Sequence, residues 1–153
     1  MIGVVDLPWF IAFFAAGTVV LGFNSFKDWR ANISYPVFDI VMIVFVLATA
    51  FVYGAIVPTV LTATFMLIGL YAIAHYGAVG MGDVFVLAWS TIGVGMWFGV
   101  LGVIIYLLAV WIGHQSMILV NRHFKKWSGE LPLLPAVCVG FVIANILLYM
   151  LGA

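Results

Sequence analysis

Between Arg30 and Arg122 the chain carries no lysine or arginine. All five basic residues fall in two short stretches, Lys27 with Arg30 and Arg122 with Lys125 and Lys126. Only two acids, Asp39 and Asp83, interrupt the intervening run. A soluble domain keeps about 25% of its residues charged and about 45–50% apolar. Here 7% are charged and 67% are hydrophobic, with a mean hydropathy of +1.34. Such a chain is stable where apolar surface faces outward, and the fold class that follows is an all-α integral membrane protein. A crossing takes roughly 20 apolar residues. The 153 residues therefore hold five or six spans in a single transmembrane domain, residues 1–153, with no soluble partner domain.

The chain divides accordingly. A first span is expected over about Leu7–Phe23, with Trp9 suited to the headgroup zone. A polar stretch, Asn24 to Pro36, follows; it reads either as a loop or as the wet end of a first helix whose last turn holds Asp28. A second span covers about Val37–Ala55, and a tight connection at Val57-Pro58-Thr59 leads to a third over about Val60–Ala74. Val84 to His114 is apolar but long for one crossing, and glycines gather at Gly93, Gly95, Gly99 and Gly102. The expected arrangement is a hairpin, with spans at about Val84–Val94 and Val100–Leu119; the alternative is one long tilted helix. A second basic loop runs Asn121–Glu130, and Pro132 and Pro135 open a last span ending near Leu151. With six spans both basic loops and the turn around Asp83 share one side, which the positive-inside rule makes cytoplasmic. Five spans would divide the basic loops between the two faces.

The acids carry what chemistry the sequence offers. Asp6 lies near the N-terminus and Glu130 among basic neighbours, leaving Asp28, Asp39 and Asp83 at or just inside the cytoplasmic boundary. Gly80-Met81-Gly82-Asp83 delivers a carboxylate to the mouth of an apolar helix, and the two glycines permit close approach of another backbone. Two carboxylates brought together cannot both ionise easily, so one holds a proton while the other acts as a base. That is the split that aspartic proteolysis requires. Asp28 and Asp83, on different helices at the same depth, are the best pair. Each also has a plainer reading, Asp28 as a solvated interfacial charge and Asp83 as a helix N-cap. Asp39, three residues after Pro36, reads as a first-turn acid favoured by the helix dipole. Arg30, Lys125 and Lys126 are first of all topology determinants, and His75 and His114 are packing residues.

Other chemistries find less purchase. No His, Asp or Glu grouping has metal-ligand spacing, and neither a metal nor a cofactor is expected. The lone Cys138 leaves no internal disulfide. No serine stands in a Gly-x-Ser-x-Gly context. Zero net charge argues against a nucleic-acid partner. The opening residues, Met1 to Asp6, lack the positive segment of a cleavable signal peptide.

Three stretches together resemble the type IV prepilin peptidases, most closely the short archaeal members that process preflagellin (prearchaellin) and pilin-like precursors. They are Asp28 with Arg30, followed by Ile33 and Pro36; Gly80-Met81-Gly82-Asp83, 55 residues after Asp28; and Leu131-Pro132-Leu133-Leu134-Pro135-Ala136, similar to the proline pair that opens the family's last helix. The chain departs from the family pattern at Ile33, one residue early, and at Phe85, where many members have lysine. It lacks the cysteine-bearing cytoplasmic region that methylates the new N-terminus in many bacterial relatives, so peptidase without methyltransferase activity is expected. Presenilin-like enzymes share Gly-x-Gly-Asp, but their first aspartate follows a tyrosine, and Tyr-Asp is missing here.

The resemblance implies a six-span Gly-x-Gly-Asp aspartic endopeptidase of the cytoplasmic membrane, with its active site toward the cytoplasm. Asp28 and Asp83 would be catalytic, Gly80 and Gly82 would leave room for the substrate backbone, and Arg30 would tune Asp28. The substrates would be precursors with a short basic leader and an apolar N-terminal helix embedded in the bilayer, cut at the junction. The alternative is a non-catalytic membrane component, a small transporter or assembly subunit with one ion-coupling carboxylate.

Overall fold

The computed structural model describes residues 7–31, 36–53, 59, 64, 68, 81–124 and 132–151. The extended elements among them are all helical: α1 (Leu7–Ala31), α2 (Pro36–Val52), α3 (Met81–Phe124) and α4 (Leu134–Met150). Two stretches are long and apolar enough to cross a membrane, Leu7–Lys27 in α1 and Asp83–His123 in α3; Val37–Val52 and Leu134–Met150 are shorter apolar helices. The expected third span, residues 60–74, lies outside the described residues except at Thr64 and Ile68, which are helical and exposed.

Helix α1 starts where the sequence puts it but does not stop at Phe23. It runs on through Lys27 and Asp28 to Ala31, so of the two readings of this stretch the wet end of a first helix holds, with Asp28 near its last turn. No glycine or proline lies between Phe23 and Ile33 to break it. Lys27 sets its ammonium over the ring of Phe23 one turn back, 5.7 Å from the centroid. Pro36 then opens α2, a first-turn position where its missing N–H costs nothing. In α4 a proline likewise occupies the first turn.

Helix α3, 44 residues long, would extend roughly 66 Å if straight, about twice a bilayer's hydrocarbon core. It is not straight. Gly99 adopts φ 65 and ψ −161, and the hydroxyls of Ser90 and Tyr106 lie 2.7 Å apart. A straight helix would hold those two residues about 24 Å apart. The chain therefore folds back at Gly99 into two limbs, residues 81–98 and 100–124. This is the hairpin the glycine cluster suggests, not the single tilted helix. Gly99 occupies a backbone region that only glycine enters freely, while a Cβ built there meets nothing within 4 Å. Gly99→Ala should thus destabilise the fold by about 1–3 kcal/mol through backbone strain alone. Unfolding midpoints in mixed detergent micelles check this, and an unchanged midpoint would contradict it.

The helices pack in a consistent sense. Phe10 meets Trp97 and Phe98 edge-on and stacks on Tyr149. Deeper in, Phe13, Trp89, Phe141 and Tyr106 form a fully buried aromatic column with T-shaped pairs at 5.5–6.4 Å. Such pairs add about 0.5–1.5 kcal/mol each beyond their area. Near the other end, Ser25 donates a 2.9 Å hydrogen bond to the Leu134 carbonyl. In the second limb of α3, Gly113 faces Ala136, Val110 faces Gly140 and Gly102 faces Leu148, so this limb runs antiparallel to α4.

Two ends follow from these contacts. One gathers the C-terminal end of α1, the N-terminal ends of α2, α3 and α4, and the last turns of α3; Lys27, Arg30 and Arg122 belong to it. The other holds the start of α1, the end of α2, the Gly99 turn and the end of α4. Large apolar side chains cover the exterior on every helix, among them Val19, Phe51, Val100, Trp111 and Met150, each more than half exposed.

Candidate functional site

The basic end of the bundle holds the acids. Asp28 falls in the closing turns of α1, where its backbone is helical; its side chain, with that of Arg30, lies outside the described residues. Asp83 is the third residue of α3 and half-buried. It stands in the first helical turn, inside the helix rather than at the N-cap, where its charge complements the positive end of the helix dipole. Gly82 belongs to the same turn, and Gly80 lies outside the described residues.

Beneath this end sits a group whose burial the sequence did not announce. Asp39 is in the first turn of α2, as expected, yet its side chain is 0% exposed. The Trp89 indole N–H donates to its Oδ1 at 3.0 Å. The Asn24 amide lies 3.3 Å from both carboxylate oxygens and donates to them. Asn24 and Trp89 are themselves fully buried. One carboxylate on α2 thus ties α1 to the first limb of α3. No cationic side chain pairs with it among the described residues. An ionised group in such a place is tolerable only because donors are fixed around it.

The three tied residues relate simply to the two candidate catalytic acids. Asp28 lies four residues beyond Asn24 along α1, about 6 Å of helix rise, and Asp83 lies six residues before Trp89 along α3, about 9 Å. Both displacements run toward the same end. The polar layer of Asn24, Asp39 and Trp89, with Ser25 bonded to α4, is therefore a floor one to two turns below the acids.

The sequence offered two clues to this floor. Asn24 precedes Asp28 by one helical turn in an otherwise apolar helix, and Asp39 is flanked by Phe38 and Ile40. A dipole-favoured acid explains Asp39's position but not its neighbours. What could not be read was that Trp89, 50 residues on, points its N–H at it.

Two hydroxyls, one buried and one on the surface, are occupied locally. Ser90 bonds the Val86 carbonyl at 2.6 Å as well as Tyr106, and Ser116 bonds the Ile112 carbonyl at 2.8 Å. Neither is arranged as a nucleophile. Thr91 Oγ1, Trp97 Nε1, His114 Nδ1 and Asn145 Oδ1 are buried with no hydrogen-bond partner among the described residues. His75 lies outside the described residues. Among the described residues no group of three His, Cys, Asp or Glu side chains is placed to hold a metal ion. An apolar groove of about 260 Å³, lined by Leu7, Phe10, Phe14, Asn145 and Tyr149 among others, opens between α1 and α4 at the opposite end, away from the acids.

No protein-family model, curated protein or solved structure matches this chain.

Proposed function

We propose that the protein is a multi-pass membrane aspartic endopeptidase of the prepilin or preflagellin peptidase type, acting at the cytoplasmic face. The observation that carries the reading is the shared end of the bundle: the closing turns of α1, with Asp28, and the opening turn of α3, with Asp83, rise from one polar floor. The apolar exterior supports a lipid-facing surface, since a water-facing protein rarely exposes so much contiguous apolar area. The gathering of Lys27, Arg30 and Arg122 at that same end supports a cytoplasmic orientation.

In the reaction, one carboxylate takes a proton from water as the water oxygen attacks the scissile carbonyl carbon. The other, initially protonated, stabilises the developing oxyanion. Its proton passes to the amide nitrogen as the C–N bond breaks, leaving a carboxyl group on the leader and an amine on the apolar helix, with the water-derived proton on the first carboxylate. The new carboxyl group then gives up its proton to the amine or to water. Gly80 and Gly82 would leave space for an extended substrate backbone, and Arg30 would tune Asp28, as the family resemblance implies. The substrates are precursors with a short basic leader and an apolar helix in the bilayer. Co-expression with such a pilin-like precursor tests the proposal directly: the precursor should shift on a gel by the mass of its leader. A precursor that keeps its leader in the presence of the folded protein counts against it.

Orientation has its own check. Single cysteines at Asn32 and Ser128, in a chain with Cys138 replaced, should resist membrane-impermeant thiol reagents in intact cells and react once the cells are opened. Labelling of either from outside would reject the orientation.

One observation favours a second reading. Asp39 is fully buried, and among the described residues no cationic side chain pairs with it, as befits an ion-coupling carboxylate in a transporter or assembly subunit. On that reading Asp39 alone is essential, and Asp28 and Asp83 are dispensable.

A further inference from the structure

We propose that Asp39 is a positioning residue for the peptidase reaction, a latch whose carboxylate sets α1 against α3 and so fixes the register between the helix turns that carry Asp28 and Asp83. The inference rests on the peptidase reading and adds a third acid that does not touch substrate.

The argument is geometric. Asp39 receives donors from two other helices, Asn24 from α1 and Trp89 from α3, and these are the two helices that carry the proposed dyad. Each donor sits within about 10 Å of helix rise from the acid on its own helix. Helices are stiff over such lengths, so a shift at the floor is transmitted to the acids one or two turns above. The latch is fully buried, so water cannot substitute for a lost partner. A packed apolar side chain in its place would fill the volume but supply no directional tie between α1 and α3. Indole and amide donors converging on one carboxylate do supply it, and reacting groups displaced by as little as 1 Å lose about 10²-fold in rate.

The test is steady-state cleavage of a pilin-like precursor by the purified full chain in detergent micelles. It compares wild type with Asp39→Asn, Asp39→Ala and Trp89→Phe, with rates expressed per folded molecule. Asp39→Asn keeps an oxygen to accept from Trp89, and the Asn24 amide can turn to meet the new N–H; it should stay within about threefold of wild type, since one neutral hydrogen bond replaces one charged. Asp39→Ala and Trp89→Phe delete the latch from opposite sides. Each should lower kcat by about 10-fold to 10²-fold and leave KM unchanged, because the latch itself touches no substrate. Trp89→Phe removes only the donor and keeps an aromatic ring in the core, so it carries the test if Asp39→Ala fails to fold.

The proposal is overturned if either latch-deleting variant loses folded yield but keeps wild-type kcat per folded molecule, since that marks mere structural support. It is also overturned if Asp39→Asn is as inactive as Asp83→Asn, since that would make Asp39 a reacting group. Wild-type cleavage with normal kinetics in both deletions removes the latch alone. Failure of the wild-type chain to cleave removes the peptidase reading and the latch together.

Discussion

Asp28→Asn and Asp83→Asn will each abolish leader removal while the protein still inserts and folds. Asparagine preserves the size and most of the hydrogen bonding of aspartate, but it can neither accept a proton from water nor donate one to a leaving amine. Loss of a general acid or base costs about 10²–10⁴-fold, and because the proposed dyad shares one proton each loss would disable the partner as well. The double variant should therefore be no worse than either single one, a non-additivity expected of residues acting as a unit. Asp39→Asn is the internal control and should keep substantial activity. The measurement is the fraction of precursor cleaved against time, with unfolding midpoints showing that the variants are folded. An inactive Asp39→Asn beside an active Asp28→Asn would move the dyad to Asp39 and Asp83. Normal cleavage by all three would leave no peptidase, and the non-catalytic membrane component would stand instead.

The floor beneath the acids explains why that control matters. Asp39 and Asp83 are the described carboxylates at this end of the bundle, and the helical backbone of Asp28 ends there too; charge alone does not rank them. Asp39 is buried and held by two donors, whereas Asp83 is half-buried at a helix mouth. A group that must meet water and substrate cannot be as enclosed as Asp39 is. Enclosure suits a fixed strut, and partial exposure suits an acid that exchanges protons.

Much of the fold was legible because its signals are local. Apolar runs mark the helices, Pro36 and Pro135 mark two helix starts, and the glycine cluster marks the fold-back at Gly99. The end of α1 was left open because polar residues such as Asn24, Ser25 and Asp28 look alike whether they cap a helix or fill a loop. Without glycine or proline to stop it, the helix wins. The floor was not legible, because its parts come from residues 24, 39 and 89, and only packing brings them together. The apolar neighbours Phe38 and Ile40 hint that Asp39 is buried, but nothing local names its partners. Trp89 is equally opaque: in sequence it is one more aromatic, and only the folded chain separates its indole N–H from the ring that packs against Phe13 and Phe141.

Glycines provide the other large effect, since sequence counts 16 of them without ranking them. Gly140 is the critical one. A Cβ there would stand 2.7 Å from Val110 Cγ2 and 2.8 Å from the Val110 backbone nitrogen, and a backbone atom cannot turn aside as a side chain can. The second limb of α3 and α4 approach so closely because position 140 has no side chain, as at small-residue helix contacts in membranes. Gly140→Ala should destabilise by about 1–3 kcal/mol, and Gly140→Leu should leave little folded protein. Gly113, on the same interface, meets Ala136 at an ordinary 3.6 Å, so Gly113→Ala should be nearly silent. Gly22, in α1, has nothing within 4 Å; Gly22→Ala should stabilise by up to about 1 kcal/mol through helix propensity. Denaturant unfolding of the four variants in mixed micelles gives the order directly. If Gly140→Ala proves as stable as Gly113→Ala, the close approach of α3 and α4 at Val110 is wrong, and with it the packing that seats Leu134 over Ser25 at the floor of the site.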